Sequence, residues 1–302
     1  MFSRLLEALL IVLFGLLRLL PLEWAARVGR GVGGLAVFFA RHHRRIAEEN
    51  LRMAYPDWPE SRVRETAGEN LRRIGEAYAC AIRVPGMSLA DLGDRLQITG
   101  FHEALPPKGV NLLVATGHFG NFDLLSQAQQ LAPDRRMATT YRAQKLRALE
   151  NALQRLRRKT GVEFVERRQG VAPLKRLFGS RNAIVALYSD QHGGGHGLWI
   201  PMLGHPCSCS PAAAVMALRY RTRLAMAYCF RTGLARWEIQ CGPVIATQEA
   251  DGSDRSVEAI TRDVMAAYET AIRRDPANWF WVHRRWKAPS TLQTRRESKE
   301  AE

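Results

Sequence analysis

The sequence predicts an α/β sandwich built around a mixed β-sheet. The main observation is that short β-rich runs alternate with helical stretches from about residue 95 onward. A second observation is that two runs, residues 110–115 and 183–188, are largely apolar, as buried strands are. With 302 residues, the chain can bury a large core, as one large domain or two small ones.

The N-terminal region is predicted to be a membrane-associated helical segment. Residues 5–22 are apolar except for Glu7, Gly15, Arg18 and Pro21, and the central stretch of ten residues, 8–17, is too short to cross a bilayer unaided. A retained anchor is favoured, as a marginal span or an interfacial helix. A cleavable signal peptide lacks a small-x-small site, and an ordinary buried helix is the remaining alternative. The basic cluster at 41–45 predicts that the bulk of the chain is cytoplasmic.

The periodicity of apolar residues predicts the following elements in turn. A second apolar block covers residues 33–40, and an amphipathic helix follows the boundary at 56–59. Strands are predicted at residues 96–99, 110–116, 137–141, 162–165, 183–188, 224–230 and 237–245. Helices are predicted near residues 121–132, 143–158, 169–180, 208–220 and 254–274. The polar tail, 289–302, is predicted to fray.

The formal charge of +15 predicts an anionic partner, which can be nucleic acid, an acidic lipid surface or an acidic carrier protein. No known nucleic-acid motif is present, and the apolar N-terminus favours lipid, so nucleic acid is not expected. The five scattered cysteines fit a reducing compartment. Cys207 and Cys209 lack a second ligand pair at a suitable interval, so no zinc site is expected.

The motif that carries most information is Thr116-Gly117-His118-Phe119-Gly120-Asn121-Phe122-Asp123. A strand-like run ends in His118, and Asp123 follows in the first turn of a predicted helix. Asp123 could accept the Nδ1–H of His118 and leave Nε2 free as a general base. The spacing suggests acyl transfer to a hydroxyl, although a strand-end histidine beside a capping aspartate also occurs by chance.

A second candidate region follows the predicted strand at 183–188. Asp190 and Gln191 stand at the end of this strand, where polar residues commonly face a site in α/β folds. The glycine-rich loop at 193–197 either allows close backbone approach to a ligand or is a flexible surface loop. His192 and His196 are not expected to bind a metal, because only Asp190 is nearby as a carboxylate.

Basic residues are dense on the predicted helix near 143–158. Leucines at 146, 149, 153 and 156 define one face, and Arg147, Arg155 and Arg158 fall on the other. Arg142 precedes this helix, and Arg167 and Arg168 follow the next strand. Each arginine alone is typical of a solvated surface, but as a group they suit a phosphorylated lipid or a phosphopantetheine carrier.

The segment 279–287 contains four aromatic residues, three of them tryptophans, together with basic residues. The mixture is typical of a membrane-interface belt, or of a helix at the edge of the core whose basic residues reach a cleft.

Taken together, these segments resemble the bacterial lipid A biosynthesis acyltransferase family. The resemblance covers nearly the whole chain: the apolar N-terminus, residues 49–56 and 117–123, Tyr141-Arg142, Ser189-Asp190-Gln191 and residues 281–287. It implies a glycerolipid-acyltransferase-like fold, with residues 1–45 as the membrane segment, 46–288 as the acyltransferase domain and 289–302 as the tail.

The resemblance implies transfer of a fatty acyl chain from acyl carrier protein to a hydroxyl of an anionic membrane glycolipid, a lipid A precursor. The reaction would take place at the cytoplasmic face of the inner membrane, with no metal or organic cofactor. Carried over by position, His118 would be the base and Asp123 its orienter. The remaining candidate site residues, expected to bind substrate or phosphate, are Asn121, Arg142, Arg158, Arg167, Arg168, Asp190 and Gln191.

Two other functions stay open on the sequence. The acceptor can be a lysophospholipid or a phosphatidylinositol mannoside-like glycolipid. The chain can also be a non-catalytic membrane protein that gathers anionic lipids through its positive charge.

Overall fold

A computed structural model shows an α/β protein whose centre is a seven-stranded mixed sheet, as predicted. The structure describes residues 2–169 and 172–287, with side chains described for 11–168 and 172–287. The sheet strands are β1 (Leu96–Thr99), β2 (Leu112–Thr116), β3 (Arg136–Tyr141), β4 (Glu163–Glu166), β5 (Ala183–Tyr188), β8 (Arg223–Gly233) and β9 (Arg236–Ile245). A separate hairpin consists of β6 (Leu198–Met202) and β7 (His205–Cys209).

The α-helices are α1 (Phe2–Leu19), α2 (Leu22–Phe39), α3 (Arg41–Ala54), α4 (Glu60–Ala81), α5 (Leu89–Leu92), α6 (Phe101–Ala104), α7 (Arg147–Arg157), α8 (Ala172–Gly179), α9 (Ala212–Tyr220) and α10 (Val257–Arg274). The 3-10 helices are Val84–Gly86, Gly93–Arg95, Phe122–Leu131, Arg167–Gln169 and Pro276–Asn278.

The strand order β1-β9-β8-β2-β5-β3-β4 decides where a site can form. Strands β8, β2, β5, β3 and β4 run parallel to one another, whereas β9 is antiparallel to β8. The carboxyl ends of β2, β5, β3 and β4 therefore meet at one edge of the sheet. Ligands of α/β sheets bind at this edge, beyond the ends of parallel strands.

Alternating side chains of the central strands supply the core on both faces of the sheet. Leu113 and Val185 pack into the larger cluster with residues from α3, α8, α9 and α10. Leu112 and Ile184, one position earlier, face the cluster that contains Ala128 of the 3-10 helix Phe122–Leu131. Because both faces are covered, these strands are apolar along most of their length.

The N-terminal helices are fastened to the domain by close packing of α2 against α4. A Cβ atom at Gly33 would lie 2.3 Å from the carbonyl oxygen of Leu71, so the backbones touch at a position that only glycine allows. The opposite face of α2 exposes Trp24, Val32 and Phe39, the last with 82% of its surface accessible. Among residues 2–169 and 172–287, no helix combines the length and the hydropathy that crossing a bilayer requires.

The structure corrects the predicted helix at 208–220. Helix α9 begins at Ala212, whereas Ser208 and Cys209 belong to strand β7 of the hairpin. The hairpin itself was not predicted, because Pro201 and Pro206 interrupt its two strands and hide a β pattern.

The structure also corrects both predictions for residues 279–287. The described part of this segment, which extends to Lys287, contains no helix. Trp279, Trp281 and Arg285 are almost fully buried, so the segment is neither an interface belt nor a helix with basic residues in a cleft. Arg285 instead donates to the carbonyl oxygen of Ser208, at 2.5 Å, and thereby binds the segment to β7. The predicted tail, 289–302, lies outside the described residues.

Candidate active site

His118 lies in the turn that follows β2, at the carboxyl edge of the sheet. Phe119, next to it, is fully buried and packs on Tyr228 and Tyr268, with ring centroids 5.2 and 6.1 Å away. Because Phe119 points into the core, the His118 side chain projects to the other side and keeps 22% of its surface accessible. The turn therefore presents one imidazole at the surface of a rigid edge.

Gly117 makes this turn compatible with the neighbouring strand. A Cβ atom at position 117 would lie 2.9 Å from both Cβ and Cγ of Asp190 and 2.8 Å from the ring of Phe119. In the native structure, Asp190, which follows β5, accepts hydrogen bonds from three donors. Any larger residue at 117 would displace the Asp190 carboxylate.

The carboxylate of Asp190 holds His118 through two hydrogen bonds. The backbone N–H of His118 donates to Oδ2 at 2.8 Å, and Nδ1 lies 2.9 Å from Oδ1. The indole N–H of Trp279 donates to Oδ2 at 2.9 Å. The carboxylate is 1% exposed, so its charge is compensated by these donors and not by solvent. With Nδ1 as the donor, Nε2 is left as the acceptor nitrogen of a neutral imidazole.

Asp123 was expected to accept the Nδ1–H of His118, but in the structure Asp190 occupies this position. Asp123 begins the 3-10 helix Phe122–Leu131, and its side chain influences His118 through its charge, as the weakest of the contributions to the pKa of His118. The reason is topological: β5 is hydrogen-bonded to β2 in register, which sets Tyr188 beside Thr116 and the following Asp190 beside His118. Whether Asp123 takes part in catalysis stays a prediction.

The pair shifts the pKa of both partners in opposite directions. Burial lowers the pKa of His118, but the charge of Asp190 and its hydrogen bond outweigh this effect, so the pKa lies above 6.5. Burial raises the pKa of Asp190, and His118, with the other donors, brings it below 3.8. Burial raises the pKa of Asp123, an effect that the charges of Arg157 and His118 only partly oppose.

Aromatic rings surround the imidazole. The ring centroids of Phe122 and Tyr188 each lie 4.9 Å from that of His118, and Phe280 lies at 5.9 Å. Within the described part of the chain, Nε2 of His118 has no hydrogen-bond partner. The site therefore offers one proton-accepting nitrogen inside an apolar rim.

The segment around Trp279 closes the site from the C-terminal side. The backbone N–H of Phe280 donates to the carbonyl oxygen of His118 at 3.1 Å, and Gly120 donates to the carbonyl oxygen of Asn278 at 2.8 Å. Two buried asparagines hold this segment. Asn70 donates to the carbonyl oxygens of Ala277 and Trp279, and Asn50 donates to those of Trp281 and His283.

The two strand ends that carry His118 and Asp190 are also tied to each other. The hydroxyl of Tyr268, on α10, donates to the carbonyl oxygen of Thr116 and lies 2.8 Å from the hydroxyl of Ser189. Tyr268 is fully buried. This contact fixes the relative position of β2 and β5 at the point where the pair forms.

The predicted arginines are spread along the same edge of the sheet. Arg142 follows β3, and Arg167 and Arg168 follow β4, about 10 and 14 Å from β2 at a typical strand spacing. These three and Arg158 are exposed, and Arg168 lies 4.0 Å from Glu166. Their role in binding substrate stays a prediction.

The arginine that reaches the site is Arg157, which the sequence did not single out. Its guanidinium stacks over the rings of Tyr141 and Phe164, at 4.5 and 5.1 Å from the centroids. Its Nη1 atom is buried without a hydrogen-bond partner and lies 3.9 Å from Glu150. A half-buried cation whose charge acts on Asp123 can attract an oxyanion or a phosphate to the site.

The other predicted residues have distinct surroundings. Asn121 is buried, and its Nδ2 donor has no partner. Gln191 lies beside the pair, with Nε2 3.5 Å from Nδ1 of His118. Among the described residues, no three His, Cys, Asp or Glu side chains are grouped as a metal site requires.

The glycine-rich loop packs on the hairpin through its backbone. Gly193 donates to the carbonyl oxygen of Ser208 at 2.9 Å, and a Cβ atom at Gly197 would lie 2.0 Å from the Ser208 hydroxyl. The close backbone approach expected for the loop is therefore made to β7 of the same chain.

The fold and the site together have the layout of an α/β enzyme with a carboxylate-oriented histidine at the carboxyl edge of its sheet. The sequence model of the bacterial lipid A biosynthesis acyltransferases matches residues 2–288, so the chain belongs to this family. Membership makes the protein an enzyme that transfers acyl groups, and it implies lipid A acyltransferase activity in general. A search among curated proteins found no significant match.

Proposed function

We propose that the enzyme transfers a fatty acyl chain from acyl carrier protein to a hydroxyl of an anionic membrane glycolipid, a lipid A precursor, with His118 as the general base. The observation that carries this proposal is the pairing of His118 with Asp190. The carboxylate fixes the tautomer with Nδ1 protonated, and Nε2 is left without a partner at the surface of the site.

The reaction is a direct transfer in two stages. Nε2 of His118 takes the proton of the acceptor hydroxyl while the oxygen attacks the thioester carbonyl carbon. The tetrahedral intermediate then expels the thiolate of the carrier as the carbon–sulfur bond breaks. The imidazolium returns its proton to this thiolate. Asp190 stabilises the imidazolium between the two stages, in keeping with the raised pKa of His118.

The burial of four of the five cysteines supports a mechanism without an acyl-enzyme. Cys229 is 1% exposed, and burial raises the pKa of its thiol far above the ordinary value, as it does for Cys80. Cys207 and Cys209 are fully buried in the hairpin. A nucleophilic thiol needs to be accessible and ionised, and these thiols are enclosed.

Arg157 is the residue that we assign to the developing negative charge. Its charge acts on Asp123, and a cation in this position suits stabilisation of the thioester oxyanion. The exposed arginines Arg142, Arg158, Arg167 and Arg168 lie further out along the strand ends, where phosphate groups of the glycolipid or of the carrier would approach.

The exposed face of α2 supports a location on the inner membrane, with the catalytic domain on its cytoplasmic side. Trp24, Val32 and Phe39 lie on one face of this helix, and the basic cluster at 41–45 follows directly. Helix α2 would lie in the membrane interface, its apolar face in lipid and the basic cluster beside anionic headgroups.

The test compares His118→Ala with His196→Ala, a substitution of an exposed loop histidine. With purified full-length protein, an acyl carrier protein thioester and a lipid A precursor, His118→Ala should remain folded, with a lowered melting temperature, and should lose at least about 10³-fold in turnover. His196→Ala should retain turnover. Normal turnover by His118→Ala would remove the base from the mechanism and favour a non-catalytic role for the pair.

The acceptor is tested separately, by mass spectrometry of lipids from cells with and without the protein. An acylated lipid A species that depends on the protein supports the proposed acceptor. A change confined to lysophospholipids or to phosphatidylinositol mannoside-like glycolipids would keep the reaction and replace the acceptor.

A further inference from the structure

A cavity of about 430 Å³ lies beside the 3-10 helix Phe122–Leu131 and is lined by none of the residues in contact with His118. Its wall comes from the end of α1, the turn Val84–Gly86, this 3-10 helix and the residues after α7. Gln127 lines the cavity, whereas Phe122, five positions earlier in the same helix, contacts the His118 ring. The cavity is therefore separate from the catalytic pair.

Two cationic side chains converge at one point of this cavity. A Cβ atom placed on Gly86 would lie 3.2 Å from Nη2 of Arg18 and 3.9 Å from Cδ of Lys159. Arg18 comes from α1 and Lys159 from the loop after α7, so chain segments 141 residues apart in sequence (159 minus 18) bring two basic side chains to the same cavity. Glycine at position 86 leaves the space between them open.

The cavity holds positive charge without a compensating carboxylate. Among the described residues, no Asp or Glu lines it, and neither Arg18 nor Lys159 forms an ion pair. Arg83, which does not line the cavity, holds the end of α1 in place, because it donates through Nη1 to the carbonyl oxygen of Arg18. Unpaired cations with free donors in a concave site attract an anion, and phosphate is the anion that guanidinium groups bind best.

Helix α1 also exposes apolar side chains close in sequence to Arg18. Leu16 and Leu19, on the same helix as Arg18, are exposed, the latter with 80% of its surface accessible. A free phosphate would use the cations alone, whereas a phosphate carried by a lipid would also cover this apolar surface. The combination of charge and apolar surface distinguishes the two sources of phosphate.

We propose that this cavity binds the phosphate-bearing headgroup of an anionic membrane lipid, with the phosphate between Arg18 and Lys159 and the acyl chains along α1. The site is distinct from the catalytic pair and does not depend on the proposed acyl transfer. It gives α1 a specific lipid contact in addition to non-specific attraction to the membrane.

The experiment measures binding of full-length protein to phosphatidylcholine vesicles with and without phosphatidic acid, at physiological ionic strength. Arg18→Gln combined with Lys159→Gln should weaken binding to phosphatidic acid vesicles about tenfold. The matched control, Lys175→Gln with Arg176→Gln, removes the same charge from the exposed face of α8 and should change binding less than about threefold. Gly86→Glu, which fills the cavity with a carboxylate, should act like the first double variant.

Two results would overturn the assignment, and one control separates it from the catalytic proposal. Equal loss of binding in both double variants would overturn the proposal, because the attraction would then depend on net charge alone. Inorganic phosphate that binds the solubilised protein as tightly as the lipid, with the same dependence on Arg18 and Lys159, would overturn the lipid source. His118→Ala should bind normally, so failure of the catalytic proposal would leave this result intact. Melting temperatures of all variants confirm that each is folded.

Discussion

Replacing Asp190 by asparagine removes the carboxylate that orients His118, with almost no change in side-chain volume. The carboxylate accepts three donors, two on Oδ2 and the Nδ1–H of His118 on Oδ1. An asparagine keeps two of them only if its oxygen takes the Oδ2 position. Its amide then faces Nδ1, so the neutral imidazole must carry its proton on Nε2, the nitrogen that has to accept a proton from the acceptor hydroxyl.

The magnitude follows from this change of tautomer. In the serine protease triad, the same substitution lowers kcat about 10⁴-fold, and we expect a loss of about 10³- to 10⁴-fold here, equivalent to about 4 to 5.5 kcal/mol of transition-state stabilisation. The lost charged hydrogen bond should lower the free energy of unfolding by about 1.5 to 3 kcal/mol.

The pH dependence gives a more specific signature. The wild-type pKa of His118 is raised above 6.5, so the acidic limb of kcat/KM should lie above that pH. Without the charge of Asp190, burial dominates and the limb should move to lower pH. The raised pKa of His118 stabilises the fold below 6.5, and this contribution is lost as pH rises through the folded value. The lowered pKa of Asp190 stabilises the fold above 3.8, and this contribution is lost as pH falls. The stability difference between wild type and Asp190→Asn should therefore be largest between these two values.

The measurement is steady-state turnover of an acyl carrier protein thioester across pH, with urea unfolding over the same range. Asp123→Asn is the matched control, because it removes a neighbouring carboxylate that is not bonded to Nδ1. It should lower the rate, with a smaller displacement of the acidic limb. If Asp190→Asn kept more than a tenth of kcat with an unmoved limb, or if Asp123→Asn moved the limb further, Asp190 would not be the orienting carboxylate.

Three further predictions concern residues around this pair. Trp279→Phe keeps an aromatic ring but removes the indole donor to Asp190. The less compensated carboxylate should raise the pKa of His118 and move the acidic limb of kcat/KM to higher pH, with about a tenfold loss of kcat. An unmoved limb would show that Trp279 has a packing role only. Arg157→Ala should reduce kcat by at least about 10²-fold, whereas Arg176→Ala, at an exposed position of α8, should retain most activity; equal effects in the same turnover assay would contradict the assignment. Glu76→Gln should lower the free energy of unfolding in urea by about 3 kcal/mol, because this buried carboxylate binds two arginines and a backbone N–H; a loss below about 1 kcal/mol would show that the arginines find other partners.

The central strands β2 and β5 were predictable because their residues are buried on both faces and leave a clear apolar run. All seven predicted strands are present, β1 and β5 with the predicted bounds. The hairpin β6–β7 was not predictable in the same way, since it is covered by the glycine-rich loop and carries prolines in both strands. The predictions are therefore confirmed for the seven strands of the sheet, whereas the hairpin was not predicted.

The site was predictable only where its residues are neighbours in sequence. His118 follows from the strand-to-helix pattern, but its partner depends on strand order, and nothing local shows that β5 lies beside β2. Asp123 was favoured because it is near in sequence. Asp190 carried a signal of its own, as a polar residue at the end of an apolar strand, but this signal does not specify which strand end it faces.

The arginine assignment shows a second limit. Neighbouring residues on an α-helix point about 100° apart, so a small error in the phase of the helix exchanges Arg157 for Arg158. The leucines at 146, 149, 153 and 156 suggested one buried face, whereas the residues buried on α7 are Ala148, Ala152 and Leu156. Small alanines carry little hydrophobic signal, and the sequence alone could not show that another helix packs on them.

The segment that carries Trp279 has a consequence for the synthesis of this enzyme. His118 and Asp190 are made well before it, and the asparagines that hold it, Asn50 and Asn70, are made earlier still. The ribosome must therefore release Trp279 before the carboxylate can receive its third donor. During translation, the helices and the sheet that carry the site can be in place while the site itself is still incomplete, so that folding of the scaffold precedes activity.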